Sequence, residues 1–303
     1  IWDRLDGNLG PTVFTRTTDS GATWETPRPI HDPGVLRQTI NNQVVVLPDG
    51  VLVASFTRLN MAPTRAAVLM TMRSADKGVT WSQPVVVAQV QSRGATDPES
   101  GIPIRDGANL GSIAAGRNGR IAMAWQDSRF SGGQRDGIAY SQSTDGGLTW
   151  STPVGLNQAP AVQAFVPTVH IRDDGTIGVT YYDLRNNTTA PTILADYWLV
   201  QSADGVTWTE THVAGPFDYA TAPYARGLFL GDYMGLTSIG TTFVPVYALT
   251  NPGNLDDRTD IFATLASRIA AAKEADAGVP AFAGPPTDAL VPTPDLERAF
   301  ADG

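Results

Sequence analysis

The chain of 303 residues has no cysteine, only two lysines (Lys77 and Lys273) and only three histidines. The missing cysteines remove disulfides, thiolate metal sites and cysteine nucleophiles together, and leave the compartment open. His31, His170 and His212 are too scattered for a zinc site, and no HExxH is present, so neither a metal nor a cofactor is expected. No apolar run reaches membrane-spanning length. Basic residues are outnumbered 30 to 21, giving a net charge of −9, which disfavours nucleic acid and anionic membranes as partners. The chain opens on Ile1 without a methionine and reads as a mature chain or a fragment.

What is abundant is repetition. Thr17-Thr18-Asp19-Ser20-Gly21-Ala22-Thr23-Trp24 returns as Ser74 to Trp81, Ser143 to Trp150 and, one residue shorter, Ser202 to Trp208. The box tryptophans stand 57, 69 and 58 residues apart. Between boxes lie short runs rich in Val, Ile, Thr, Tyr and Trp, broken by turn signals such as Pro48-Asp49-Gly50 and Asp173-Asp174-Gly175. Each unit predicts four strands: a first (43–47, 110–115, 166–172), a second after a D-G or N-G turn (51–56, 120–125, 176–182), a third running into the box (67–73, 136–142, 196–201), and a fourth beyond it (83–88). Four strands per period predict an all-β chain of propeller blades over 1–264. From 265 to 303 a helix and then a Pro/Ala-rich tail are expected.

In each box the aspartate accepts local N–H bonds, the glycine permits positive φ, and the tryptophan supplies an apolar anchor. One active site has no use for four copies, so the box is structural. It also fixes direction: the loops from strand two to strand three, and the crossovers between blades, open on the opposite face.

On that face a second repeat appears: Arg58 in Ser55-Phe56-Thr57-Arg58, then Asp127 with Arg129, then Asp183 with Arg185. Residues two apart in extended backbone point the same way, so each Asp-x-Arg is a pair. Two readings follow. The pairs fix their own loops, or the arginines converge on the channel mouth and bind a carboxylate. The crossovers add Asp106, Arg226, Asp232 and Tyr233, the last two entering the final inner strand near the axis.

The four S/T-x-D-x-G-x-T-W boxes resemble the Asp boxes, or BNR repeats, of the sialidase superfamily. That resemblance implies a six-bladed propeller, N-terminally incomplete here because about four and a half blades are counted; the open edge implies self-association or an upstream segment. It further implies a secreted, extracellular glycoside hydrolase acting on an acidic sugar or glycan. Arg58, Arg129, Arg185 and Arg226 would bind substrate, and Asp127, Asp183, Asp232 and Tyr233 would carry the chemistry. Arg129, Arg185 and Tyr233 follow the family's order for its second arginine, third arginine and tyrosine. The family's F/Y-R-I-P motif is absent. Among five glutamates, Glu210 is placed on the box face and only Glu99 within reach of the site, with Asp106 as the alternative carboxylate. A non-catalytic glycan- or protein-binding scaffold and a polysaccharide lyase remain the competing functions.

Overall fold

The computed structural model describes residues 1–266 except 6, 8 and 62–64, so nearly all of the expected helix and tail falls outside the described residues. The described chain is all-β. Four short strands open it: β1 (Trp2–Asp3), β2 (Leu9–Gly10), β3 (Thr12–Phe14) and β4 (Arg28–His31). Next come β5 (Arg37–Val46), β6 (Leu52–Asn60), β7 (Ala66–Ser74) and β8 (Val85–Val90). β9 (Ser112–Ala115), β10 (Ile121–Asp127), β11 (Gly137–Ser143) and β12 (Val154–Gly155) follow, then β13 (Ala164–Ile171), β14 (Ile177–Asp183), β15 (Leu194–Ser202) and β16 (Thr209–Asp218). β17 (Gly235–Ile239), β18 (Thr242–Thr250) and β19 (Thr259–Ala263) close the series.

These strands form five sheets, ordered β1-β3-β4, β2-β5-β6-β7-β8, β9-β10-β11-β12, β13-β14-β15-β16 and β17-β18-β19. Among the described residues the named strands pair antiparallel, except β2 with β5. β1, β5, β9, β13 and β17 adjoin one another in chain order, and so line the inner side.

The sheets stack because their strands are apolar on both faces. In β14, Ile177, Val179 and Tyr181 join a core with Ala122, Ala124 and Tyr140 of the third sheet. Tyr182, from the opposite face of the same strand, joins a core with Tyr247 and Leu249 of the fifth. A third core joins Val53 and Leu69 of the second sheet to Met123 and Trp125 of the third. A central strand buried on both sides reads as continuous apolar sequence rather than alternation.

The box turns are the joints between third and fourth strands. In the third copy, Asp145 Oδ1 accepts from Ser143 Oγ at 2.8 Å and from the Thr149 amide at 2.9 Å, while Ser143 Oγ accepts from the Gly147 amide at 2.8 Å. The first, second and fourth copies repeat this wiring around Asp19, Asp76 and Asp204. The tryptophans reach the preceding sheet: Trp81 meets Phe14 edge-on at 5.4 Å, and Trp208 meets Tyr140 at 5.0 Å.

Hydrogen bonds from the threonine that ends the turn hold the carboxyls of Asp19, Asp76 and Asp145 at about 2, against an ordinary 3.8. A depressed folded-state pKa means stability that is complete above about pH 4 and lost as pH falls toward 2. Asp145→Asn is therefore expected to lower the melting temperature at pH 7 and to flatten its decline between pH 4 and 2. An acid profile for Asp145→Asn that parallels the parent's would refute this account of the turn.

Candidate functional site

Arg58, expected in a loop, lies inside β6, paired in register with Thr39 and Val68, because β6 and β7 stay hydrogen-bonded out to Asn60 and Ala66. Its Nε is buried without a partner among the described residues. Its charge, after burial, keeps the His31 imidazole below its ordinary value.

Asp127 and Arg129 pair as the two-residue spacing requires. Nε and Nη2 of Arg129 donate to Oδ1 and Oδ2 of Asp127, each at 2.8 Å. Trp125 Nε1 donates to Oδ2 at 2.9 Å and the Gln91 amide does so at 3.2 Å. Arg129 also donates to the Gln89 carbonyl. The pair thus clips the third sheet to the chain leaving β8. Burial alone would raise the Asp127 carboxyl, but the bonds from Arg129 outweigh it and hold the group low.

Asp183 and Arg185 form a larger set. Arg185 Nε donates to Asp183 Oδ2 at 2.7 Å, and Trp198 Nε1 donates to Oδ1 at 2.9 Å. The guanidinium lies 3.5 Å over the Trp198 ring and reaches Glu210, Nη1 to Oε2 at 2.6 Å. The Tyr181 hydroxyl donates to the other Glu210 oxygen. Glu210, assigned by sequence to the box face, is the partner of Arg185, because the long arginine lies along its own sheet and reaches the neighbouring strand β16. Asp183 is raised by burial, which outweighs its arginine. With no exposed surface, neither Asp127 nor Asp183 touches solvent. The structure therefore places both aspartates and both arginines in internal ion pairs.

The inner strands frame a different place. A cavity of about 360 Å³ is lined by Asp106, Asp232, Tyr233, Gln43 and the turn at Val166. A second, of about 380 Å³, is lined by Trp2, Asp3, Asn41, Asn42, Gln43 and Tyr233. Gln43 and Tyr233 belong to both, so they form one cleft in two parts. Of the residues selected from sequence, Asp106, Asp232 and Tyr233 reach this cleft; Arg58, Asp127, Arg129, Asp183, Arg185 and Arg226 do not line either part. Arg226 is exposed, with a positive φ of 66°.

Bulges aim the inner strands into the cleft. β5 loses register between Ile40 and Gln43, and β13 between Phe165 and Thr168. Asn41 (φ 58°) and Val166 (φ 52°) sit in them. Asparagine tolerates that conformation; a β-branched valine does not, and such strain gathers where function holds it. Here the Val166 amide donates to Gln126 Oε1 at 3.0 Å.

Gln126 links two buried carboxylates, its Nε2 lying 2.8 Å from Asp106 Oδ2 and 3.3 Å from Asp136 Oδ2. Burial raises the Asp106 carboxyl, and the negative charge of Asp136 adds to the effect, against bonds from Gln126 and the Ala95 amide. Asp232 is instead held by Arg105, Nη2 to Oδ2 at 2.9 Å. Arg105 itself stacks 4.2 Å over Phe229. Tyr233, 64% exposed, is raised by partial burial and then by Asp232 and Asp3, so its phenol stays protonated at neutral pH.

No protein-family model matches the sequence, and no curated protein matches it. At the level of structure, a protein of unknown function from Dyadobacter fermentans is similar, with 18% identity, a TM-score of 0.50, and coverage of 85% of this chain and 69% of that one. A PL25 ulvan lyase, a polysaccharide lyase, is similar at 12% identity and a TM-score of 0.50; the aligned region covers 85% of this chain and 58% of the lyase. A sialidase from Streptococcus pneumoniae aligns more weakly, at 14% identity and a TM-score of 0.44 over 82% of this chain and 34% of that one. At such identities the first two likenesses establish a shared fold.

Proposed function

We propose that the chain is a carbohydrate-processing enzyme, a glycoside hydrolase whose five sheets are blades of a β-propeller and whose reaction takes place in this cleft. The observation that carries this is the pair of carboxylates, Asp106 and Asp232, lining one cavity in opposite environments. Glycosidic cleavage needs one carboxyl that donates a proton to the leaving oxygen and one carboxylate that activates water or attacks the sugar. Asp106, raised by burial, is the acid; Asp232, held by Arg105, is the carboxylate. The sugar-acting neighbours agree with this at the level of fold only.

The sialidase-type reading draws on the four boxes. Six blades would fit it, since Trp24 is 62% exposed where the other box tryptophans are partly covered by the preceding sheet. A further blade or a second copy would cover Trp24. We favour the carboxylate pair over the sialidase apparatus because Arg129 and Arg185 are committed to internal partners and Tyr233 faces two carboxylates. A location outside the cell belongs to the same proposal, as the place where glycans are met.

The test is turnover of a glycan panel by the full chain, read as new reducing ends. Hydrolysis is expected, and Asp232→Asn should lower it by at least about a hundredfold. Saturable sugar binding without any turnover would establish the scaffold reading instead, and unsaturated products would establish a lyase.

A further inference from the structure

The second half of the cleft narrows the substrate, an inference that rests on the carbohydrate reading above. Trp2, 37% exposed, and Tyr233, 64% exposed, place two aromatic rings on the wall of one cavity. Sugar rings present one apolar C–H face, and such faces stack on exposed aromatic rings that keep a polar edge in water. Beside the rings stand polar groups with spare capacity. Gln43 Nε2 is committed to Asn41 Oδ1 at 3.0 Å and the Gly111 carbonyl at 2.7 Å, which leaves its Oε1 as an acceptor. Asn42 Oδ1 accepts from Thr12 Oγ1 at 2.9 Å, while Asn42 Nδ2 is buried and has no partner among the described residues. Asp3 adds two acceptor oxygens. A hydroxyl both donates and accepts, so a donor amide set next to an amide oxygen and a carboxylate matches adjacent hydroxyls.

Charge decides the rest. Among the described residues that line the two cavities are Asp3, Asp106 and Asp232, and no arginine or lysine. Arg105 is paired with Asp232. A uronate or sialate entering this cleft would exchange hydration for the carboxylates of Asp3 and Asp232, with no free guanidinium among the described lining residues to receive it. We propose that the cleft takes a neutral oligosaccharide, with one sugar unit in the first cavity beside Asp106 and Asp232 and the adjoining unit stacked on Trp2 and Tyr233, its hydroxyls held by Asn42, Gln43 and Asp3.

Isothermal titration of the full chain tests this, with neutral gluco-, galacto- and arabino-oligosaccharides set against sialyl- and uronate-containing oligosaccharides. A neutral oligosaccharide is expected to bind, to perturb tryptophan fluorescence, and to keep its affinity from about 20 to about 500 mM salt. Trp2→Ala should weaken it by about tenfold and Trp2→Phe should restore most of the loss. Thermal melting separates lost binding from lost folding. Preferential, salt-sensitive binding of an acidic glycan overturns the proposal, as does neutral-sugar binding that survives Trp2→Ala; both outcomes leave the carbohydrate reading standing. Binding of neither class would end both.

Discussion

Exchanging Asp106 for asparagine is expected to remove between a hundredfold and ten-thousandfold of turnover, about the range a positioned general acid supplies, while the chain still folds. Asparagine has the shape of aspartate but no proton to give. Its oxygen can keep the bonds from the Ala95 amide, 2.5 Å, and from Gln126, 2.8 Å. Its NH₂ then replaces the oxygen that accepts from the Ala108 amide at 3.1 Å, so a modest drop in melting temperature accompanies the loss. The pH profile gives an independent check. Because burial raises the carboxyl above 3.8, the parent's rate should fall as pH climbs through that raised value and the acid ionises. Full turnover by Asp106→Asn would exclude this residue as the acid. An Asp106 variant that melts like the parent but is inactive would separate chemistry from loop support.

The boxes made the architecture readable because each carries its own wiring: within eight residues a hydroxyl bonds both the acid and the glycine amide, and the closing tryptophan is free to pack outward, as Trp81 and Trp208 do on the preceding sheet. Strand positions followed, since a repeated turn fixes where strands begin and end. The predicted third strands, 67–73, 136–142 and 196–201, lie inside β7 and overlap most of β11 and β15. The cleft was less legible. Asp106 was found as a crossover carboxylate, and Asp232 and Tyr233 because the chain there enters the last inner strand, but Trp2 and Val166 carried no local signal. Register loss in β5 and β13 depends on partners across the sheet, which no local residue pattern shows. Asp-x-Arg showed correctly that acid and base adjoin, and it showed nothing of where the pair points. Arg185 reaches Glu210, 25 residues away in sequence, by lying along its own sheet.

That distinction yields the second large effect, on stability. Arg185→Ala and Arg129→Ala are expected to melt far below the parent, each losing about 3 to 5 kcal/mol, the usual cost of stripping one partner from a buried ion pair. Asp127 would be left fully buried with the Trp125 indole and the backbone amides of Gln91 and Arg129 as its donors, and the tie to Gln89 would be gone. Arg185→Ala should be the worse of the two. One guanidinium there neutralises both Asp183 and Glu210, so its removal strands two carboxylates on one sheet face. Adding Glu210→Gln to Arg185→Ala should recover part of the loss, because it deletes one unpaired charge and keeps an oxygen for the Tyr181 hydroxyl. If arginines at these positions instead served an acidic substrate, both alanine variants would melt like the parent and lose only glycan binding. That result would return the two residues to the channel mouth and reverse the assignment of the cleft to neutral sugars.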